Sequence, residues 1–146
     1  MKFNHSYFYK QRNQMDCGAA CLKMILKYYG KYVSIETLRQ LTETTREGAS
    51  LSRINEAANK LGLKTLGLKL DSKKLFERAP LPAILHWENN HFVVLYKIKK
   101  NTIYIADPAC GLVEYSKNDF LNYWAIEDHG IALLMERTSD FVTAED

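Results

Sequence analysis

Residues 11–30 read QRNQMDCGAACLKMILKYYG, and this stretch decides the fold. From Cys17 onward, Ala20, Met24, Leu26 and Tyr28 mix with Cys21, Leu22, Ile25 and Tyr29 at three- and four-residue spacings. That pattern predicts a helix with apolar residues around much of its girth, and such a helix belongs at the centre of a core. Asp16 is the expected N-cap and Gly30 the expected C-terminal stop.

Working outward, a second, short helix is expected after Ser34 through IETLRQL. A third fits LSRINEAANKLG, with Leu51, Ile54, Ala58 and Leu61 on one face, Ser50 as cap and Gly62 as terminator. The period then changes. Leu66, Leu68 and Leu70 alternate with Gly67 and Lys69, as on a half-buried strand. A short helix from Ser72 to about Arg78 is broken by Pro80 and Pro82. Strand-like runs PAILHW, HFVVLYKI and TIYIAD follow, with turns at Glu88-Asn89-Asn90 and Lys99-Lys100-Asn101. Val113 to Tyr115 suits another strand. Ser116 with Asp119 has the spacing of a capping box and opens a helix through FLNYW. GIALLME is expected as a last, fully buried strand. A helical lobe followed by an antiparallel meander is an α+β arrangement.

The totals narrow the function classes. The 146 residues suit one domain, residues 1–146 with a core of about 6–137. The net charge of +3, from 20 basic and 17 acidic residues, is too small and scattered for nucleic-acid binding, and Lys97, Lys99 and Lys100 suit a solvated hairpin end. Three cysteines, in a chain long enough to fold without staples, fit a reducing compartment or a reactive thiol. No apolar run is long enough to span a bilayer, and MKFNHSYFYK lacks the apolar stretch of a signal peptide. A cytoplasmic location without membrane insertion is therefore expected.

The chemistry points to Cys17. A helix N-terminus directs free N–H groups and partial positive charge at a sulfur placed there, which favours the thiolate. Gly18 leaves room for an incoming backbone. Taken alone, Cys17 is equally a small buried apolar residue. Gln11, six residues earlier, and Gln14, three residues earlier, are each a candidate oxyanion donor beside the Cys17 N–H, or simply a solvated loop side chain. Of the four histidines, His91 opens a strand beside a turn, a position that presents an imidazole to a cleft. Asp107 ends the following strand. Antiparallel pairing of TIYIAD with HFVVLYKI sets that end beside His91, where a carboxylate orients an imidazole. An Asp-Pro turn starter is the ordinary use of Asp107.

These residues resemble the papain-like peptidase domain at the N-terminus of bacteriocin-exporting ABC transporters, which processes double-glycine leaders. The resemblance rests on Gln11 six residues before the cysteine, on Asp16-Cys17-Gly18, on His91 in HFVVLYK, and on Asp107-Pro108 in IADP. ILKYYG, REGASL, LPAILHW and FLNYW are similar in character. It implies a papain-like fold with the catalytic cysteine at a helix N-terminus in a helical lobe and a C-terminal antiparallel sheet. It also implies Cys17 as nucleophile, His91 as general base and acid, Asp107 as its orienting partner and Gln11 as oxyanion donor. The implied substrate is a precursor peptide whose amphipathic helical leader ends in Gly-Gly. The transmembrane and ATPase domains of such an exporter are implied partners absent from these residues.

A narrow channel would impose the Gly-Gly requirement, and Trp87, Tyr7 and Trp124 suit either its walls or ordinary packing. Cys21, one helical turn inside Cys17, reads as core, and Cys110 as a solvent-accessible bystander. Two rivals stand beside the peptidase reading. Cys17, Cys21, Cys110 and His91 form a Cys3His zinc set on paper, although no metal or other cofactor is expected. A leader-docking module that no longer cuts needs the same surface without the chemistry.

Overall fold

The computed structural model describes residues 2–139 and 141. Residues 1, 140 and 142–146 of the expected 1–146 domain lie outside the described residues.

Helix α1 spans Cys17–Tyr29, and residues 17–26 are all buried. Even Lys23 is enclosed, its Nζ donating to the Val33 carbonyl at 2.6 Å. Gly30, at φ 101°, closes the helix in the left-handed conformation that glycine adopts without strain. At the other end the expectation needs correction. Asp16 holds the N-cap position, but its side chain makes no capping bond. Its carboxylate instead accepts from Arg39 of α2 (Ile35–Leu41).

Local chemistry sets the remaining helix starts. Ser34 accepts from the Thr37 N–H to open α2, and Ser50 from the Arg53 N–H to open α3 (Leu51–Lys60). Asp71 caps α4 (Ser72–Arg78) and Ser116 caps α5 (Lys117–Trp124). Each such cap contributes about 1 kcal/mol.

Six antiparallel strands form one sheet: β1 (Leu63–Asp71), β2 (Ala83–Trp87), β3 (His91–Lys99), β4 (Thr102–Asp107), β5 (Gly111–Ser116) and β6 (His129–Arg137). Their order is β1-β6-β2-β3-β4-β5. The sheet is therefore not a simple meander, because β6 returns to lie between β1 and β2. Nor is β6 fully buried, since Ile131 is exposed and Leu134 only half covered.

The fold is α+β, with a core on each face of the sheet. On one face α1 and α3 pack against Ile84, Phe92, Val94, Ala106 and Leu133. On the other, Leu75 of α4 and Phe120 and Trp124 of α5 cover Leu85, Val93, Leu95, Ile103 and Ile105. Central strands buried on both faces read as continuous apolar runs, as PAIL and FVVL do. On the edge strand β1, Leu70 is buried and Leu68 half-buried, but Leu66 is 58% exposed. The alternation predicted the strand, and the cover ends before Leu66.

Candidate active site

Cys17 is the first residue of α1, delivered by a 3₁₀ turn over Gln14–Asp16. It lines a cavity of about 410 Å3 together with Gln14, residues 47–51, His86, Asn90 and Phe92. His86 and Phe92 face each other across β2 and β3. Their rings stack with centroids 5.0 Å apart and form one side of this cleft.

His91 begins β3 and Asp107 ends β4. Strand pairing, Val94 against Ala106 and Leu95 against Ile105, brings these two ends together. His91 Nε2 lies 2.6 Å from Asp107 Oδ1. The same oxygen accepts the Ala109 N–H at 2.9 Å. Asp107 is thus both the Asp-Pro turn starter and the imidazole's partner. With Nε2 occupied, Nδ1 is the ring nitrogen left for Cys17, whose thiol is within hydrogen-bonding reach of His91.

The electrostatics follow from this contact. Burial is the largest influence on His91 and by itself pulls the imidazole down. Hydrogen bonds with Asp107 and Cys17, and the charges of both, outweigh it and push the pKa from 6.5 to about 9. Burial likewise acts upward on Asp107. The bonds from His91 and the Ala109 N–H, the His91 charge and the Cys110 thiol reverse it and hold the carboxyl below its ordinary value. The side chains of His91 and Asp107 are 22% and 8% exposed, so the pair is sheltered but reachable.

Gln11 is anchored beside this pair through its backbone, whose N–H donates to the Pro108 carbonyl at 2.8 Å. Its Nε2 turns back to the carbonyls of Asn13 at 3.0 Å and Gln14 at 3.5 Å, and its Oε1 is buried without a partner. A Cβ at Gly18 would lie 2.7 Å from Ile54 Cδ1, so the glycine admits the α3 side chain at the start of α1.

Cys21 is fully buried. Its thiol is pushed well up by burial first, then by the Cys17 and Asp107 charges, so it stays protonated and inert. Cys110 is exposed but is more than a bystander. Its N–H donates to the Asp107 carbonyl at 3.0 Å, and its thiol lies near enough to help hold the Asp107 carboxyl low. Among the described residues, no group of three or more His, Cys, Asp and Glu side chains is placed to hold a metal ion. The zinc set therefore has no geometry behind it. His5 and His129 are exposed.

Trp87, Trp124 and Tyr7 do not line the Cys17 cavity. Trp87 and Trp124 pack with Phe120 in the far core and line an adjoining cavity of about 470 Å3, while Tyr7 packs on Phe3 and Tyr28. The walls beside Cys17 come from the REGASL segment and from His86, Asn90 and Phe92, none of which was singled out for this role. The available signal was the loop preceding the Ser50 cap, which must run past the start of α1. His86 and Asn90 line both cavities, so the two adjoin at that point.

A cysteine at a helix start, with an imidazole held by a carboxylate from the next strand, is the arrangement of thiol-dependent acyl-transfer enzymes. Residues 5–140 match the Peptidase C39 family, and the chain belongs to this family of cysteine peptidases. It is 38% identical over 119 residues to the lactococcin-G-processing and transport ATP-binding protein LagD of Lactococcus lactis, covering 78% of this chain and 17% of that protein. It is 36% identical over 133 residues to the colicin V secretion/processing ATP-binding protein CvaB of Escherichia coli, covering 90% and 18%. The chain thus spans less than one fifth of the length of such relatives. A double glycine motif protease from an AMS/PCAT transporter, solved with its leader peptide, superposes with a TM-score of 0.83 at 36% identity, covering 88% of this chain and 89% of that one. The peptidase domain of Streptococcus ComA gives a TM-score of 0.80 at 31% identity, covering 89% and 97%. Among the described residues no helix is long and apolar enough to cross a membrane.

Proposed function

We propose that this chain is a cysteine endopeptidase domain that removes leaders from bacteriocin-like precursor peptides by cutting after a double-glycine motif. The observation that carries the reading is the Cys17–His91–Asp107 constellation, with its 2.6 Å His91–Asp107 contact. The relatives named as processing and transport proteins, and the neighbour solved with a leader peptide, support the substrate class. They also support a place at the N-terminus of a peptidase-containing exporter, on the cytoplasmic side, beside its transmembrane and ATPase domains. Residues 1–146, with a core of about 6–137, form a single papain-like unit in this reading.

The proposed cycle is acyl transfer. His91, protonated and oriented by Asp107, pairs with the Cys17 thiolate. The sulfur attacks the carbonyl of the second glycine, and the Cys17 N–H receives developing charge on the oxygen. Gln11 joins as a second donor once its Nε2 leaves the Asn13 and Gln14 carbonyls. His91 protonates the departing amine; a water, deprotonated by the same ring, then releases the acyl group. No step calls on a cofactor.

The test is a precursor with an amphipathic leader ending in Gly-Gly, with its cleavage site read by mass spectrometry. A single cut after the second glycine is expected, and replacing either glycine with valine should suppress it by more than about tenfold, the low end of what a single methylene is worth in an apolar pocket. Cuts elsewhere, or indifference to valine, contradict the substrate assignment. Binding without cutting favours the docking module.

A further inference from the structure

We propose that Arg39 is a positioning residue for Cys17. By taking both oxygens of the Asp16 carboxylate, it fixes the turn that delivers the nucleophile and keeps the Asp16 charge from opposing the thiolate. The inference rests on reading Cys17 as the nucleophile.

Asp16 immediately precedes Cys17, and its side chain has no solvent exposure. A carboxylate at this position of a helix ordinarily bonds the first-turn N–H groups. Here it bonds none of them. Arg39 Nε donates to Oδ1 at 2.9 Å and Nη2 to Oδ2 at 2.5 Å, a two-point fork from the neighbouring helix.

Three consequences follow for the site. The first-turn N–H groups of α1 are not taken by the Asp16 side chain. The turn is held at both ends, by Gln11 N–H on the Pro108 carbonyl and by the fork on Asp16, with the Asp16 N–H on the Asn13 carbonyl between them. Finally, the negative charge nearest in sequence to the sulfur is buried and is neutralised by a guanidinium that itself reaches solvent. Other charged or titratable groups meet these residues. Glu36 and Tyr9 act on Arg39. His91 contacts Cys17, with Asp107 behind it, and Glu47 and His86 line the same cavity. The guanidinium is the group that bonds Asp16.

The experiment measures alkylation of Cys17 by iodoacetamide against pH. Peptide mass spectrometry resolves Cys17 from exposed Cys110, the internal reference, and from buried Cys21. Arg39→Gln leaves a buried, unpaired carboxylate on the residue that precedes Cys17. Its Cys17 alkylation profile should be displaced by roughly one pH unit to higher pH, with alkylation slowed about tenfold only on the acid limb, where the thiolate is the minor form, and with Cys110 unchanged. Asp16→Asn, which removes the charge and lets the partly exposed Arg39 turn to water, should keep the wild-type profile. So should Asp16→Asn with Arg39→Gln. Arg39→Lys keeps the charge without the fork; its profile stays in place while kcat falls more than KM changes. Equal slowing in all variants is the signature of packing alone and overturns the proposal, as does an unmoved profile in folded Arg39→Gln. Should Arg39→Gln not fold, an alkaline displacement in Arg39→Lys or in the double variant overturns it. Precursor cleavage by the wild-type chain is followed in parallel. Its absence removes the peptidase reading while leaving the alkylation comparison interpretable.

Discussion

His91 Nε2 and Asp107 Oδ1 lie 2.6 Å apart although sixteen positions separate the two residues in sequence. The contact does two things. It occupies one ring nitrogen and so leaves the other for Cys17 in the proposed cycle. It also places a carboxylate where it stabilises a positive imidazole, a carboxylate held in turn by the Ala109 N–H.

The pH dependence of activity follows from this pair. With its pKa raised to about 9, His91 carries the proton that the leaving amine needs throughout the neutral range. Cleavage should therefore decline as pH rises through about 9, measured as kcat against pH. Stability runs the same way. The folded pKa exceeds the ordinary 6.5, so the contribution is complete below 6.5 and is lost as pH climbs through about 9. Asp107 is displaced downward, and its contribution is lost as pH falls through its lowered folded value. Both describe one contact and count once.

Asp107→Asn tests the carboxylate. The amide keeps a hydrogen-bonding shape but removes the charge, while burial of His91 continues to pull its pKa down. The alkaline limb should move to lower pH, and kcat should fall roughly a hundredfold, the lower range of what a positioned acid-base group contributes. Titration of His91 by NMR checks the shift independently of turnover.

Gly18→Ala tests the close approach of α3. The new Cβ would lie 2.7 Å from Ile54 Cδ1 and 3.5 Å from Phe92 Cδ2. Overpacking of this kind costs about 1–3 kcal/mol, of which the helix preference of alanine returns at most about 1 kcal/mol. The melting temperature should drop by a few degrees. Adding Ile54→Val, which removes Cδ1, should restore part of the loss, and a double-mutant cycle without coupling contradicts the account.

Features with a local physical cause were legible in the sequence. The Ser34, Ser50 and Ser116 caps, the Gly30 stop and the adjacency of His91 to Asp107 each follow from short-range rules or from one strand pairing. Features decided by distant packing were not. Nothing in GIALLME states that it pairs with both β1 and β2, and alternation in β1 cannot reveal that cover stops short of Leu66. Asp16 carries the signature of an N-cap, yet a guanidinium 23 positions away takes its carboxylate. Nothing in the sequence shows that Ile54 packs against Gly18. The cleft walls from residues 47–51, His86, Asn90 and Phe92 are ordinary loop and strand residues until the fold assembles them around Cys17.

The most direct measurement is cleavage of a Gly-Gly precursor by Cys17→Ala beside the wild-type chain, with precursor binding followed by calorimetry. Cleavage should vanish while affinity stays within about threefold, since removing a nucleophile takes away chemistry and not ground-state contacts. Undiminished cleavage by Cys17→Ala would contradict the assignment of the nucleophile and, with it, the proposed mechanism.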